Sequence, residues 1–249
     1  MFQEERIYEI VTMLKDRRVL SNQEIMQAFQ ISRDTARRDI VKLVNEGFAI
    51  RTHGGIALPA IQDEVKDYKK RLAINSEAKI RLGKYALKYI SAGQICFFDV
   101  STTIQALCQY LDENVLAFTH SLDNMEALAG KQGEVHLLGG KLEPKNRYLY
   151  GSKTIMQIED IRFDIAFLGA AAIAADGIYV VDDEDACIKR KVAERAACVC
   201  VVADGAKFNK ASSFKVISFE KVDVLLTTQE PPLAVKESVK HTGTTVEVV

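Results

Sequence analysis

Seven short apolar runs recur along the C-terminal part of the chain, at 95–99, 115–119, 135–138, 165–168, 198–203, 224–226 and 245–249, and most are separated by segments of helix length. Runs this short and this uniformly apolar suit strands covered on both faces, whereas a half-exposed strand would alternate with polar residues. Strands alternating with helices imply an α/β domain over residues 76–249: a largely parallel sheet with helices on both sides, opening with a helix over 79–90. The pattern leaves the strand order open.

Open sheets of this kind bind ligands beyond the carboxyl ends of their strands. The residues that follow the runs are small, hydroxylic or charged: Asp99, Ser101, Thr102 and Thr103; then His120 and Ser121; Gly139, Gly140 and Lys141; Gly169; and finally Asp204 and Lys207. Taken singly, such residues are ordinary caps and turns. Five strand ends with the same chemistry point to one polar effector site. Ser101, Thr102 and Thr103 open the next helix, where free amides and hydroxyls suit a phosphate, and Lys207 supplies a counter-charge.

A chain of 249 residues has room for a smaller domain before this one. No apolar run is long enough to span a bilayer, and the start "MFQEERIYEI" lacks the basic region and apolar stretch of a secretory leader, so no membrane partner is expected. The cysteines, Cys96, Cys108, Cys187, Cys198 and Cys200, are odd in number and read as buried thiols of a cytoplasmic protein. No cofactor and no metal is called for.

Residues 1–57 carry nine Lys/Arg and eight Asp/Glu, so a nucleic-acid partner would have to be met by arrangement rather than by net charge. Ile7, Ile10, Val11 and Leu14 recur at helical spacing. Ser21 and Glu24 form a capping box flanked by the staple Leu20 and Ile25, ahead of a second helix with Ala28 and Phe29 on its inner side. Ser32 caps a third helix, which turns Ala36, Ile40, Leu43 and Val44 inward. Its other side presents Arg33, Asp34, Thr35, Arg37, Arg38 and Lys42, the residue types that meet base edges and phosphates when a helix enters the major groove. Gly47 stops the helix, and the runs 48–52 and 56–58 around Gly54 and Gly55 form a small hairpin wing with Arg51 and His53 near its tip. A simple solvated helix face is the competing reading of these charges.

The series Ser32, Thr35, Ala36, Arg37, Arg38, Asp39, Ile40, followed by His53, Gly54 and Gly55, resembles the winged helix-turn-helix of the DeoR family of bacterial transcriptional regulators. Ala36 departs from the larger aliphatic residue usual there. Asp39 reads as structural, pairing with an arginine to orient it. The stretches "FFDVSTT", "LLGGKL", "FDIAFLGA", "DACIKRK" and "VADGAKF" are similar to the sensor domain of the same family, which shares its fold with ribose-5-phosphate isomerase and glucosamine-6-phosphate deaminase. Residues 59–75 are charged, open with Pro59 and have only partial periodicity, so they read as a linker between domains at 1–58 and 76–249. The resemblance implies a phosphorylated sugar or related metabolite as effector, with its phosphate near Ser101, Thr102, Thr103 and Lys207 and its hydroxyls near Asp99 and Asp204. Three positions depart from the family pattern: Ser101 and Ala172 stand where glycines are usual, and His120 where asparagine is frequent.

The expected function is therefore that of a repressor binding double-stranded operator DNA as a homo-oligomer, because one winged helix reads too few bases to be selective. A sugar-phosphate isomerase is the alternative. Enzymes of that fold place carboxylates directly after the glycine-alanine pair matching Gly169 and Ala170, whereas Ala171 and Ala172 follow here, and the nearby acidic run 182–185 reads as a solvated helix start. A winged helix serving only protein contacts would not need Arg37 beside Arg38.

Overall fold

The computed structural model describes residues 3–17, 19–45, 48–52, 54–57 and 77–249, and the chain divides into two compact units, Met1–Val65 and Lys66–Val249. Gly47, His53, Leu58 and the expected linker 59–75 lie outside the described residues.

In the first unit, α1 (Gln3–Arg17) is followed by β1 (Val19–Ser21), α2 (Asn22–Phe29) and α3 (Arg33–Asn45). The capping box forms as its residue types require: Glu24 N–H donates to Ser21 Oγ at 3.1 Å, and Ser21 N–H donates to the Glu24 carboxylate at 2.8 Å. Gln30 then turns left-handed and ends α2, and Ser32 Oγ accepts from Thr35 N–H at 3.2 Å to start α3. Ile10, Leu14, Leu20, Ile25, Ile40, Leu43 and Ile56 close a single small core.

The wing is β2 (Ile50–Thr52) with β3 (Gly55–Ala57), and β3 also pairs with β1, so the expected two-stranded hairpin is a three-stranded antiparallel sheet in the order β1-β3-β2. The third strand explains Gly55, and the turn's backbone explains Gly54. Gly54 adopts φ +95°, and a Cβ on Gly55 would lie 2.1 Å from the Leu20 carbonyl oxygen.

The second unit opens with α4 (Glu77–Ala86), which tightens into one 3-10 turn before β4 (Ile95–Phe98), rather than running on to residue 90 as expected. Then come α5 (Thr102–Tyr110), β5 (Val115–Thr119), α6 (Leu122–Leu128), β6 (Gly133–Leu137), β7 (Lys141–Glu143), β8 (Tyr148–Tyr150) and α7 (Ser152–Glu159). After these follow β9 (Phe163–Leu168), β10 (Ala172–Ala174), β11 (Gly177–Val180), α8 (Asp183–Arg195), β12 (Ala196–Val202), β13 (Phe214–Ile217), β14 (Val224–Thr227), α9 (Leu233–Val239) and β15 (Thr245–Val248). All seven expected strands join one sheet, in the order β15-β14-β12-β9-β4-β5-β6, and every pairing in it is parallel.

Alternate residues of each strand feed two cores. Phe97, Ala166, Leu168, Val199 and Val201 pack on one face, and Cys96, Phe98, Ile165, Phe167, Cys200 and Val202 on the other. This is why the runs read as continuously apolar. The cysteines are all unpaired; Cys96, Cys108 and Cys200 are buried, but Cys187 and Cys198 are only partly so, which corrects the expectation of burial for all five. Two small antiparallel additions were not expected: the hairpin β7–β8 and the sheet β10-β11-β13. Among the described residues, no helix is long and apolar enough to cross a membrane.

Candidate functional site

In the first unit, the side chains of α3 separate as the periodicity required. Ser32, Arg33, Asp34, Arg37 and Arg38 are exposed, Thr35 and Lys42 are half-buried, and Ala36, Ile40 and Leu43 are in the core. Thr35 Oγ1 lies 2.9 Å from Ser32 Oγ within the cap. Arg33 and Arg37 line a concave surface whose other walls are Asn22 of α2 and Arg51 and Thr52 of the wing. Arg38 borders a shallower groove on the far side of Arg37, beside Asp34 and Val41. Among the described residues, Arg33, Arg37 and Arg38 are in no ion pair with the protein, so their donors face outward along two adjoining grooves.

Asp39 has a partner, but it belongs to another helix. Its carboxylate is without solvent exposure and accepts from Arg6 Nε at 2.6 Å, Arg6 Nη2 at 3.2 Å and Gln3 Nε2 at 2.9 Å. The expected pairing therefore ties α3 to α1 and orients the whole helix instead of one arginine upon it. The hydrogen bond to Asp39 raises the Arg6 pKa, against a smaller loss from burial.

In the second unit, the sheet order reverses direction between β4 and β9: the chain runs outward through β5 and β6 on one side and through β12, β14 and β15 on the other. The crevice rule places a site at this switch point. Asp99 stands there at the end of β4, fully buried, with one carboxylate oxygen accepting Gly169 N–H at 2.7 Å from the end of β9. The same oxygen accepts from Lys189 Nζ, on α8. Lys189 also pairs with Asp185 Oδ1 at 3.0 Å, one helical turn earlier.

One ammonium thus sits between two carboxylates inside the protein. Burial raises the pKa of Asp99 and takes that of Asp185 up to about 7, in each case against the pull of Lys189. Burial alone would lower the pKa of Lys189, but Asp185 and Asp99 outweigh it and the net direction is upward.

His120 extends the cluster. Its Nε2 lies 3.9 Å from Asp99 Oδ1, too far for a hydrogen bond, and its ring stacks on Phe97 and meets Tyr148 edge-on at 5.5 Å. The side chain has no solvent exposure, and burial, aided by Lys189, holds its pKa well below the usual imidazole value, so it is neutral. Asp99, His120 and Asp185 hold ligand-type atoms within 4.8 Å of one another, and the Lys189 ammonium contacts Asp99 Oδ2 and Asp185 Oδ1 beside them.

The remaining expected residues spread around this centre. Ser101 caps α5 by accepting Thr103 N–H at 3.3 Å, and a Cβ on Gly169 would meet the Ser101 Cβ at 2.5 Å, so the serine already takes up space at the switch point. Thr102 and Thr103 are largely buried on the first turn of α5. Ser121 is buried and caps α6 through Asn124 N–H at 3.3 Å. Asn124 in turn donates to the carbonyls of Phe98 and Asp99, which fixes the end of β4.

Gly139 and Gly140 do not form an open cradle. Gly139 N–H donates to Gln157, and its carbonyl accepts from Thr154 and Gln157 of α7, while a Cβ on Gly140 would press on Thr154. Lys141 is exposed on β7, with its ammonium over the Tyr150 ring at 5.7 Å. Asp204 caps the 3-10 turn Gly205–Asn209 by accepting Ala206 N–H at 3.0 Å, and Lys207 lies half-buried on that turn.

The acidic run 182–185 is a helix start, as expected, but it is not simply solvated. Asp182 caps α8 and accepts the Tyr148 hydroxyl at 3.1 Å, and the Asp185 side chain is 15% exposed, facing Lys189. Lys189 and Asp185 were missed from sequence; their one local signal is an acid four residues before a lysine on a helix.

Residues 6–62 match the family model described as the DeoR-like helix-turn-helix domain, and residues 74–229 match the one described as the DeoR C terminal sensor domain. The HTH-type transcriptional repressor GlcR of Bacillus subtilis (strain 168) is 36% identical over 98% of this chain and 95% of its own length. The glycerol-3-phosphate regulon repressor of Escherichia coli (strain K12) is 29% identical over 95% of each chain. A ribose 5 phosphate isomerase A from Neisseria gonorrhoeae superposes over 53% of each chain at 14% identity and a TM-score of 0.40, a likeness too distant to bear on function.

Proposed function

We propose, from the premise that this chain belongs to the DeoR family of DNA-binding transcriptional regulators, that it represses a carbohydrate operon and is released by a phosphorylated sugar bound in its C-terminal domain. The observation that carries the DNA-binding half is the capped α3 with Arg33, Arg37 and Arg38 facing outward and Arg51 of the wing across the groove. Arginines so placed reach phosphates to set register and guanine edges to read sequence. Ser32, Asp34, Thr35 and Lys42 complete the helix face, and His53, between Thr52 and Gly54 in sequence, is proposed as a further DNA contact. Support for the repressor role comes from the relatives named above, which are repressors over nearly the full length of this chain.

The domains run 1–58 and 76–249 with a linker between, the protein acts in the cytoplasm, and it works as a homo-oligomer because paired modules double the bases read. In the sensor, Ser101, Thr102, Thr103 and Lys207 hold the effector's phosphate at the start of α5 and the 3-10 turn, with Asp204 beside them.

Selection of bound fragments from the source genome, followed by titration at physiological salt, tests the assignment. Arg38→Ala abolishes operator binding and leaves thermal unfolding unchanged. Normal operator binding by this variant would place the recognition surface elsewhere.

A further inference from the structure

The helical period sets which residues of α3 stand furthest from the core of the first unit. At about 100° per residue, Asp34, Arg38 and Val41 fall within roughly 60° of one another, opposite Ala36, Ile40 and Leu43. All three are exposed, Val41 by 40%, and with Arg37 they line the shallower of the two grooves. A helix seated in the major groove turns its outermost side toward the base edges, while side chains on its flanks meet phosphates. Arg33 and Arg37 border the deeper concave surface shared with Arg51 of the wing, so positive charge collects beside this stripe.

Two residues of the stripe do not suit a surface that merely holds DNA. Asp34 carries a negative charge toward a polyanion, which weakens binding to every sequence alike. Among the described residues its carboxylate is in no ion pair, so it is not spent on Arg38 one turn away. An acid in the first turn favours the helix dipole, but that small gain carries no sequence preference. Val41 stands outside the core that Val44 packs against. A lone exposed valine is ordinary on a protein surface; this one lines a groove with Asp34, Arg37 and Arg38 on the helix face turned to DNA.

The major groove offers each of them a partner. Cytosine presents its N4 amine as a donor, thymine its C5 methyl group, and guanine two acceptors that fit an arginine. A carboxylate can only accept, so guanine and thymine repel it, and adenine sets an N7 acceptor next to its amine. Cytosine is the base it selects. One helical turn advances about 5.4 Å and stacked bases lie about 3.4 Å apart, so Asp34 and Arg38 reach base pairs one or two steps apart.

We propose that Asp34 and Val41 determine the sequence specificity of α3: the Asp34 carboxylate accepts from the N4 amine of one cytosine, and Val41 packs on a thymine methyl group further along the groove. This rests on the reading of α3 as the helix that enters the operator. It divides that helix into a base-reading stripe and flanks that hold the backbone, and it adds Val41, which stands outside the arginine motif.

The test selects binding sites from random duplex DNA with the full chain, as wild type and as Asp34→Asn. Wild type enriches a motif in which one cytosine is preferred about tenfold. Asp34→Asn loses that preference and moves toward adenine there, because an amide donates to N7 and accepts from the N6 amine, while the other positions stay as they were. It also binds unrelated duplex severalfold more tightly, since one negative charge is gone. For Val41 the probe is the selected site with each thymine in turn replaced by uracil, which removes one methyl group. Wild type loses about threefold at one of these positions, and Val41→Ala is indifferent to the same replacement. Thermal unfolding checks that each variant is folded. An identical motif from Asp34→Asn would leave the acid serving the helix alone and overturn its assignment, and uracil without effect at every position would overturn that of Val41. If wild type enriches no motif, the operator-binding reading falls and this proposal falls with it.

Discussion

Replacing Asp39 by alanine tests whether that residue of the recognition helix serves the fold or the DNA. The carboxylate is completely buried and takes hydrogen bonds from Arg6 and Gln3, so truncation removes the charge against which an arginine only 8% exposed is paired. Breaking one side of a buried pair costs about 3–5 kcal/mol. The lower end applies, because the Arg6 side chain keeps some access to solvent, at 10% exposure. A winged helix of about sixty residues has roughly 3–9 kcal/mol in total. Asp39→Ala should therefore leave the N-terminal unit partly or wholly unfolded at 37 °C while the sensor domain melts as before. Two-domain calorimetry, with limited proteolysis of the first 60 or so residues, resolves the two transitions. The double variant Arg6→Met with Asp39→Leu removes both charges, keeps similar bulk, and should recover most of the lost stability and DNA binding. An Asp39→Ala protein with an unchanged N-terminal transition but no operator binding would refute this reasoning, because the aspartate would then be acting at the DNA surface.

Gly55→Ala forces a Cβ to within 2.1 Å of the Leu20 carbonyl oxygen and should separate β3 from β1, lowering the N-terminal melting transition by several degrees; Gly54→Ala costs less, about 1 kcal/mol, because it meets only its positive φ. Lys207→Ala should leave operator binding intact and weaken the response to a phosphorylated effector, measured as a rightward shift of at least about tenfold in the release curve; an unmoved curve would place the phosphate elsewhere. Asp185 gives a signed pH dependence. With its folded pKa raised to about 7 by burial, the folded protein keeps a proton that the unfolded chain releases, so this group lowers stability progressively as pH rises from about 4 to about 7. Asp99, Asp182, Lys189, His120 and Tyr148 surround it, and His120, held neutral by burial, acts in the opposite sense below about 6.5. The difference between Asp185→Asn and wild type isolates the aspartate: denaturant midpoints of the variant should gain on wild type across that window, and a constant difference would contradict the raised pKa.

How far the fold could be read from sequence tracks how local its causes are. The seven sheet strands were found to within a residue or two at each end, and β5 at both ends, because burial on both faces marks them as apolar regardless of partner. The caps at Ser21 and Ser32 were equally legible, since each closes its bonds within three residues. The strands that escaped, β1, β7, β8, β10, β11 and β13, are three or four residues long; β7 pairs with β8 and β10 with β11 in short hairpins, whereas β1 and β13 depend on distant partners. Val19–Ser21 is a strand only because residues 55–57 come back beside it, and Phe214–Ile217 only because of β11. No periodicity can develop in three residues.

The same distinction governs the site. Asp99 and Gly169 could be named because strand ends are positions that the fold class itself marks. Lys189 and Asp185 sit in "DDEDACIKRK", where charge on every side looks like a solvated helix, and what buries the lysine is Asp99, ninety residues earlier in the chain. A buried charge persists only with its partner in place, so its burial belongs to the pair and cannot be inferred from either neighbourhood. This also explains why the residues proposed for the phosphate were easier to name. Ser101, Thr102, Thr103 and Lys207 lie on local turns whose chemistry shows in a few adjacent letters, whereas the cluster of Asp99, His120, Asp185 and Lys189 is assembled from the ends of β4 and β5 and from α8, with Tyr148 of β8 against His120. A cluster assembled from distant elements is therefore what sequence motifs reveal least, and the substitutions worth making first are those at Asp185 and Tyr148.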